Sequence, residues 1–116
     1  MHIDLPAFPV EGGCICGAVR YRVTGSPLAV YNCHCRDCQR LSGATHTMSM
    51  PVGRDQVELI AGELSTYNKP ADSGRVVRMR GCAHCGVRVW NEPAAGDIVI
   101  LKPGTLDDPS WAAPVG

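Results

Sequence analysis

The sequence predicts an all-β fold built mainly from antiparallel strands. Glycine and proline supply 13 and 9 of the 116 residues, and such an excess is typical of short strands joined by many tight turns. Several short segments alternate apolar with polar side chains, which is the period of a half-buried strand. No strand-like segment is followed by a helix long enough for a parallel crossover, so a parallel-sheet cofactor fold is disfavoured.

The strands are expected at fairly regular spacing along the chain. In the first, residues 18–24, apolar side chains alternate with arginines before the turn that starts at Gly25. The second, residues 28–32, leads into a group of cysteines. Residues 36–41 alone have helical character. The remaining strand-like segments are residues 45–50, 56–61, 64–68, 75–80, 87–90 and 98–102.

Length and charge limit the possible functions. A chain of 116 residues fits one domain, residues 1–116, with a core from about residue 11 to residue 109. Eleven basic and eleven acidic side chains give a formal net charge of zero, so no long-range attraction to nucleic acid or anionic lipid is expected. No apolar run reaches the ~18 to 20 residues of a membrane span, and residues 1–10 lack the features of an export signal. We therefore expect a cytoplasmic protein that binds neither nucleic acid nor membrane.

Seven cysteines in so short a chain require a chemical explanation. Structural disulfides are rare in the cytosol, and an odd number leaves one thiol unpaired, so metal binding is the better hypothesis. Alternate residues of a strand share one face, so a C-x-C pair presents both sulfurs to one ion, and a C-x-x-C pair does so through a tight turn. Tetrahedral thiolate sites are typical of zinc. The cysteines form three groups, which are Cys14 and Cys16, then Cys33, Cys35 and Cys38, and finally Cys82 and Cys85.

The seven sulfurs divide most simply into a set of four and a set of three. Four thiolates complete a tetrahedral ion, whereas three leave a position open to water or substrate, as at a catalytic zinc ion. Spacing leaves two partitions open. The C-x-x-C pairs 35–38 and 82–85 could form a ribbon-like site, although the 43 residues between them exceed the usual ~15 to 20. Alternatively the 14–16 pair joins the 82–85 pair, which keeps each group whole and is the partition that we prefer.

Four motifs together resemble a known protein family. They are residues 13–21 (GCICGAVRY), 33–44 (CHCRDCQRLSGA), 82–86 (CAHCG) and 104–109 (GTLDDP). Their order and their extent, which is nearly the whole chain, are similar to those of the glutathione-dependent formaldehyde-activating enzyme family, which includes the centromere protein V domain. The chain departs from the family pattern at Gly81, Val87 and His46, which leaves the cysteines intact and bears on substrate identity.

The resemblance implies an Mss4-like fold with zinc knuckles and two zinc ions per chain. It implies a carbon-sulfur lyase activity, the reversible joining of formaldehyde to the thiol of glutathione to give S-hydroxymethylglutathione. The partners would then be a small thiol such as glutathione and an aldehyde. The ligand sets that it implies are Cys14, Cys16, Cys82 and Cys85 for a structural zinc ion and Cys33, Cys35 and Cys38 for a catalytic one.

Three side chains near the second cysteine group are candidates for substrate binding. Arg36 and Arg40 lie one turn apart if their segment is helical, and could bind a carboxylate of a peptide-like thiol. His46 follows closely enough to act as a fourth ligand or a proton carrier. No catalytic residue beyond the zinc site is predicted. The competing hypothesis is a non-catalytic binding module in which zinc only stabilises a small domain.

Overall fold

The computed structural model describes residues 5–70, 73–94 and 96–114. Within these ranges the chain forms nine β-strands, one α-helix and two short 3-10 turns at Arg54–Gln56 and Pro103–Thr105. The strands are β1 (Val10–Gly13), β2 (Arg20–Val23), β3 (Tyr31–Cys33), β4 (Thr47–Gly53), β5 (Val57–Ala61), β6 (Leu64–Pro70), β7 (Val76–Cys82), β8 (Arg88–Glu92) and β9 (Ile98–Leu101). The helix α1 (Arg36–Ser42) connects β3 to β4. The paired strands are all antiparallel, which confirms the predicted all-β fold.

The strands form two sheets. The smaller has three strands in the order β1-β2-β5, and the larger has six in the order β3-β4-β9-β8-β7-β6. The chain crosses from one sheet to the other after β2, after β4 and after β5. A bridge between Gly12 and Leu106 also ties β1 to the segment that follows the second 3-10 turn. Residues that are distant in sequence are therefore brought together at the ends of the strands.

Two strands differ from the sequence-based expectation. The segment Val10–Gly13 was not expected to be a strand because it carries two glycines and no apolar alternation; pairing with β2 imposes its extended conformation. The strand expected at residues 28–32 begins only at Tyr31. Leu28 is exposed there, and its N–H donates to the carbonyl of Pro51 in β4 at a point outside the β3–β4 ladder.

Strand β4 contains Pro51, although a proline is not tolerated where a strand is hydrogen-bonded on both sides. The partner β3 covers only the first part of β4, from Thr47 to Ser49, whereas β9 pairs with Met50 to Gly53. The carbonyl of Pro51 accepts from Leu28 N–H, on the side away from β9. The ring nitrogen of Pro51 points to that same side, so its missing N–H removes no hydrogen bond from the β4–β9 ladder.

Both sheets contribute to one hydrophobic core. Tyr21 of β2 is fully buried, and its ring meets that of Trp90 of β8 edge to face, with 5.9 Å between the centroids. The Tyr21 hydroxyl lies 2.6 Å from Thr105 Oγ1, which satisfies its polar end. The other buried side chains of the cluster include Val19, Val23, Val30, Met50, Val52, Val89, Val99, Leu101 and Leu106. Side chains of both sheets therefore share one core.

Replacing Gly62 with alanine is expected to destabilise the fold strongly. Gly62 has φ +97, and a Cβ there would collide with the backbone of Ala18, which cannot move without displacing β2. We expect a loss of about 3 kcal/mol in the free energy of unfolding, because left-handed strain and the collision add. Gly43→Ala is the matched control: its φ is +73 but no atom lies within 4 Å, so a loss of about 1 kcal/mol is expected. Urea denaturation of both variants measures this, and equal losses would refute the collision.

Candidate metal centres

Four cysteines meet where the two sheets come together. Cys14 follows β1, Cys16 lies in the turn towards β2, Cys82 ends β7 and Cys85 lies in the turn towards β8. Their Sγ atoms all lie within 4.8 Å of one another. The Sγ atom of Cys16 is 3.4 Å from that of Cys14 and 3.7 Å from that of Cys82. We name this group the four-cysteine cluster.

Two similar turns hold the four sulfurs in place. In one, Gly17 N–H donates to the carbonyl of Cys14, and in the other Gly86 N–H donates to the carbonyl of Cys82. Both glycines adopt left-handed φ values, +80 and +81, as the spacing of the cysteines requires. Backbone N–H groups also point at sulfur: His84 and Cys85 both donate to Cys82 Sγ at 3.3 Å.

A second group of three cysteines lies at the start of the helix. Cys33 ends β3, Cys35 is the N-cap of α1, and Cys38 lies in its first turn. Their Sγ atoms also lie within 4.8 Å of one another, and that of Cys33 is 3.5 Å from Cys35 and 2.9 Å from Cys38. We name this group the three-cysteine cluster. The two C-x-x-C pairs therefore lie in different clusters, and each group of cysteines in the sequence stays whole.

The donor sets of both clusters fit a divalent cation. Donation from Val87 N–H lowers the pKa of Cys85, and donation from Cys38 N–H lowers that of Cys35. Burial and the neighbouring Cys33 raise the pKa of Cys38 to about 11. Sulfurs this close cannot all ionise unless a cation offsets their mutual repulsion. Closely spaced thiolates in a tetrahedral arrangement suit zinc.

A cleft of about 470 Å3 lies near the three-cysteine cluster, separated from it by neighbouring residues because no cysteine lines the cleft. The helix that carries Cys38 forms one wall, and Thr47, which pairs with Cys33 across β3 and β4, forms part of another. The lining side chains are Leu41, Ser42, His46, Thr47, Met48, Arg88, Lys102 and Pro103. A second cleft of about 390 Å3 shares Leu41 and Arg88 with the first. The three-cysteine cluster is thus adjacent to space for a small molecule.

The predicted substrate-binding side chains occupy different places. His46 lines the first cleft, and its ring lies against that of His34 with 5.1 Å between the centroids; it is not among the grouped ligand atoms. Arg40 lines the second cleft. Arg36 lines neither cleft, and its Nη1 donates to Gln39 Oε1 at 3.0 Å along the helix. Of the two arginines, Arg40 is the better placed to meet a ligand.

Sequence reasoning missed Lys102 and Arg88, which line the first cleft. Lys102 follows a strand of four apolar residues, and nothing in that local pattern marks it as part of a site. Its position two residues before the 104–109 motif is the one signal that the sequence offers.

The 104–109 motif holds the two sheets together. Asp107 accepts two hydrogen bonds from the guanidinium of Arg20 on β2, at 2.8 and 2.6 Å, and this bidentate pair lowers the pKa of Asp107. Thr105 bonds to Tyr21, also on β2. Asp108 accepts from Ser110 and shapes the turn that follows. These residues are therefore structural, and they connect the residues 13–21 motif to the end of the chain.

In the described part of the chain, no helix has the length and apolar character needed to cross a membrane. The fold has a solved counterpart: the crystal structure of a Rhodobacter sphaeroides protein from a structural genomics programme superposes with a TM-score of 0.67. The two sequences are 18% identical, and the match covers 84% of this chain and 87% of that one. A search of curated proteins finds no significant match. The family model described as glutathione-dependent formaldehyde-activating enzyme matches residues 9–116, nearly the whole chain. The chain therefore belongs to the glutathione-dependent formaldehyde-activating enzyme family.

Proposed function

We propose that the chain is a zinc-dependent enzyme of the carbon-sulfur lyase type, which condenses or cleaves a small thiol such as glutathione and an aldehyde such as formaldehyde. The observation that carries this proposal is the three-cysteine cluster beside an open cleft. Three sulfurs leave a tetrahedral cation one ligand short, and the cleft gives a small molecule room to approach. The family to which the chain belongs is described by a reaction in which a thiol could occupy this open coordination position.

Each cluster has a separate role in the proposal. Cys33, Cys35 and Cys38 would hold a catalytic zinc ion, and the four-cysteine cluster would hold a structural one, which makes two zinc ions per chain. A zinc ion in the three-cysteine cluster would supply a binding position for the incoming thiol and lower the pKa of that thiol, so that a thiolate is present near neutral pH. In this proposal the protein contributes placement of the two reactants.

The bond changes are simple. The thiolate sulfur adds to the carbonyl carbon of the aldehyde, a carbon-sulfur bond forms, and the π electrons of the carbonyl move to oxygen, which takes a proton from solvent. Cleavage is the reverse. Leu41 and Met48 give the first cleft apolar walls, and His46 lies where it can donate a hydrogen bond to a bound ligand. Arg40 in the second cleft, with Arg36 nearby on the helix, would bind a carboxylate of a peptide-like thiol.

A non-catalytic, zinc-stabilised binding module is the second candidate. The observation in its favour is the 2.9 Å separation of Cys33 and Cys38, a compact arrangement that serves equally well to stabilise the short helix. Such a module would work with one ion, or with two ions that take no further ligand. Exchange of the fourth ligand at the three-cysteine cluster therefore separates the two candidates.

Metal content, thiol binding and product formation test the proposed function. We expect two zinc ions per wild-type chain and one in Cys38→Ser, by elemental analysis of the purified proteins. Calorimetric titration with glutathione should give binding heat that Cys38→Ser loses, and carbon-13 NMR with labelled formaldehyde should show faster formation of the hemithioacetal than in buffer. Absence of glutathione binding by the zinc-loaded wild type would refute the enzyme and favour the binding module.

A further inference from the structure

The half-buried lysine of the first cleft has a fixed backbone. Lys102 N–H donates to the carbonyl of Val89 at 2.9 Å. Its own carbonyl accepts from Thr105 twice, from N–H at 3.0 Å and from Oγ1 at 2.7 Å. Because Thr105 Oγ1 also bonds to the buried Tyr21, the core holds the base of the Lys102 side chain in place. The side chain therefore leaves the backbone at a defined point on the wall of the cleft.

The ammonium group of Lys102 lies near the three-cysteine cluster. Its Nζ atom is 3.5 Å from Thr47 Oγ1 and 3.4 Å from Ser49 Oγ. Thr47 lies directly opposite Cys33 in the β3–β4 ladder, and its hydroxyl is close enough to the Cys38 thiol to act on the pKa of Cys38. One hydroxyl group thus lies between the ammonium and the sulfurs.

Lys102 has no carboxylate partner among the described residues, since hydroxyl groups alone accept from its Nζ atom. A half-buried ammonium without a negative partner is costly. Burial lowers the pKa of Lys102, and the charges of Cys38, Cys33 and Cys35 act in the opposite direction. Ionised sulfurs of the three-cysteine cluster would therefore offset the charge of this lysine.

Charge balance gives the lysine a function. Three thiolates leave a divalent cation with a net charge of −1, and a fourth thiolate brings the site to −2. We propose that Lys102 is a positioning residue that offsets this charge and thereby selects an anionic thiolate, rather than a neutral molecule, as the fourth ligand of the three-cysteine cluster. This inference rests on the proposed function for the identity of the ligand. It concerns the sulfur atom itself and not a carboxylate elsewhere on the thiol.

Two lysine variants make a matched pair for the test. Lys102→Met removes the charge and keeps most of the length, whereas Lys102→Arg keeps the charge. Lys69→Met changes the net charge of the protein equally, but Lys69 is paired with Asp37 at 2.7 Å in the second cleft. These are the two lysines of the chain, so the control covers the alternative that any lost lysine has the same effect.

Cobalt placed in the three-cysteine cluster provides a readout that does not depend on activity. Its absorption bands report the fourth ligand during titration with 2-mercaptoethanol, 3-mercaptopropionate and imidazole. We expect Lys102→Met to lower the binding affinity for both thiols by about tenfold, and that for imidazole by less than about twofold. Lys102→Arg should resemble the wild type, and Lys69→Met, which lies in the second cleft, should bind 2-mercaptoethanol and imidazole as the wild type does. A loss confined to 3-mercaptopropionate would make Lys102 a carboxylate ligand, and equal losses for imidazole would make it structural; either result overturns the inference.

The affinity for cobalt itself separates this inference from the proposed function. Because binding of the cation creates the −1 site beside Lys102, chelator competition should show severalfold weaker cobalt binding by Lys102→Met. If the wild type takes no thiol at all, the proposed function fails, and this affinity then decides the role of Lys102. If the wild type takes thiols but forms no hemithioacetal, the proposed function fails while the selectivity result stands. Unchanged affinity and unchanged selectivity together would refute the role of Lys102.

Discussion

The Cys85→Ser variant is expected to lose most of its folded population, whereas Cys38→Ser should remain folded. The four-cysteine cluster joins the turn before β2 in the smaller sheet to the end of β7 in the larger sheet, and its members are up to 71 positions apart along the chain. Loss of one ligand removes the ion and releases a long loop. We expect a cost of at least about 5 kcal/mol, which is comparable with the whole stability of a domain of this size.

The Cys38→Ser variant provides the control for this prediction. The three-cysteine cluster spans only residues 33–38, so its ion closes a short loop and holds little beyond the start of α1. Circular dichroism melting curves of the two variants and the wild type, together with zinc content, make the comparison. We expect the Cys38→Ser melting temperature to fall by a few degrees with one zinc ion retained. An unfolded Cys38→Ser beside a folded Cys85→Ser would reverse the roles of the two clusters.

Gradual removal of metal from the wild type should agree with the variants. No cysteine of the three-cysteine cluster is buried, whereas Cys82 of the four-cysteine cluster is, so we expect a chelator to remove metal from the three-cysteine cluster first. We expect zinc to leave in two steps, with the loss of structure confined to the second. Simultaneous release would mean that both clusters stabilise the same part of the fold.

Local patterns explain why so much of the fold could be predicted from the sequence. The alternation around Tyr21 identifies β2 because burial of one face has a period of two residues. The glycines after Cys16 and Cys85 indicate left-handed turns, and the structure contains both. Strand β1 could not be found in this way, because its extended conformation comes from pairing with β2 and not from its own side chains. Residues 28–30 show the converse: an apolar segment makes a backbone hydrogen bond to β4, from Leu28 to Pro51, but lies outside the β3–β4 ladder and is not a strand.

The candidate site divides in the same way. Cysteines group in the sequence because each knuckle is a local turn, so their short spacing is visible without a structure. Lys102 is 55 positions from Thr47 in the sequence, and the pairing of β4 with β9 brings the two residues together. No local sequence pattern predicts that contact. Arg36 stays a prediction: it is close to the cluster in sequence, and in the structure its side chain donates to Gln39 along the helix. Residues that the sheet topology brings to a site can be identified only from the structure.

Glu92 is a further residue whose importance only the structure reveals. Its carboxylate is buried and accepts a hydrogen bond from Trp90 Nε1 at 2.9 Å. It also accepts from Arg78 at 3.1 Å and Arg80 at 3.3 Å, and Arg54 lies 3.7 Å away. One carboxylate therefore offsets the positive charges of three guanidinium groups and accepts the hydrogen bond of a buried indole N–H.

Replacement of Glu92 should be among the most destabilising changes outside the cysteines. Glu92→Gln keeps an acceptor for the indole but removes the charge, and we expect a loss of about 2 kcal/mol. Glu92→Leu leaves the arginines and the indole without a partner, and a loss of about 4 kcal/mol is expected. Glu11→Gln is the control, because Glu11 also pairs with two arginines but is 40% exposed, so about 0.5 kcal/mol is expected. Urea denaturation at pH 7 measures all three, and equal losses for Glu92→Gln and Glu11→Gln would contradict the role of burial.

The stabilisation from Glu92 should also depend on pH in a defined direction. Burial raises the pKa of Glu92, but the Trp90 N–H and the three guanidinium groups lower it by more, so the pKa in the folded state lies below the ordinary value. The contribution is then fully present above the unfolded pKa of about 4.3 and is lost as pH falls through the folded pKa. Acid would also release any bound metal, so the informative quantity is the difference between wild type and Glu92→Gln at each pH. This difference in the free energy of unfolding should be constant from pH 8 to about pH 5.5 and shrink below about pH 4.5. A difference that grows as the pH falls would instead show that the surroundings raise the pKa of Glu92.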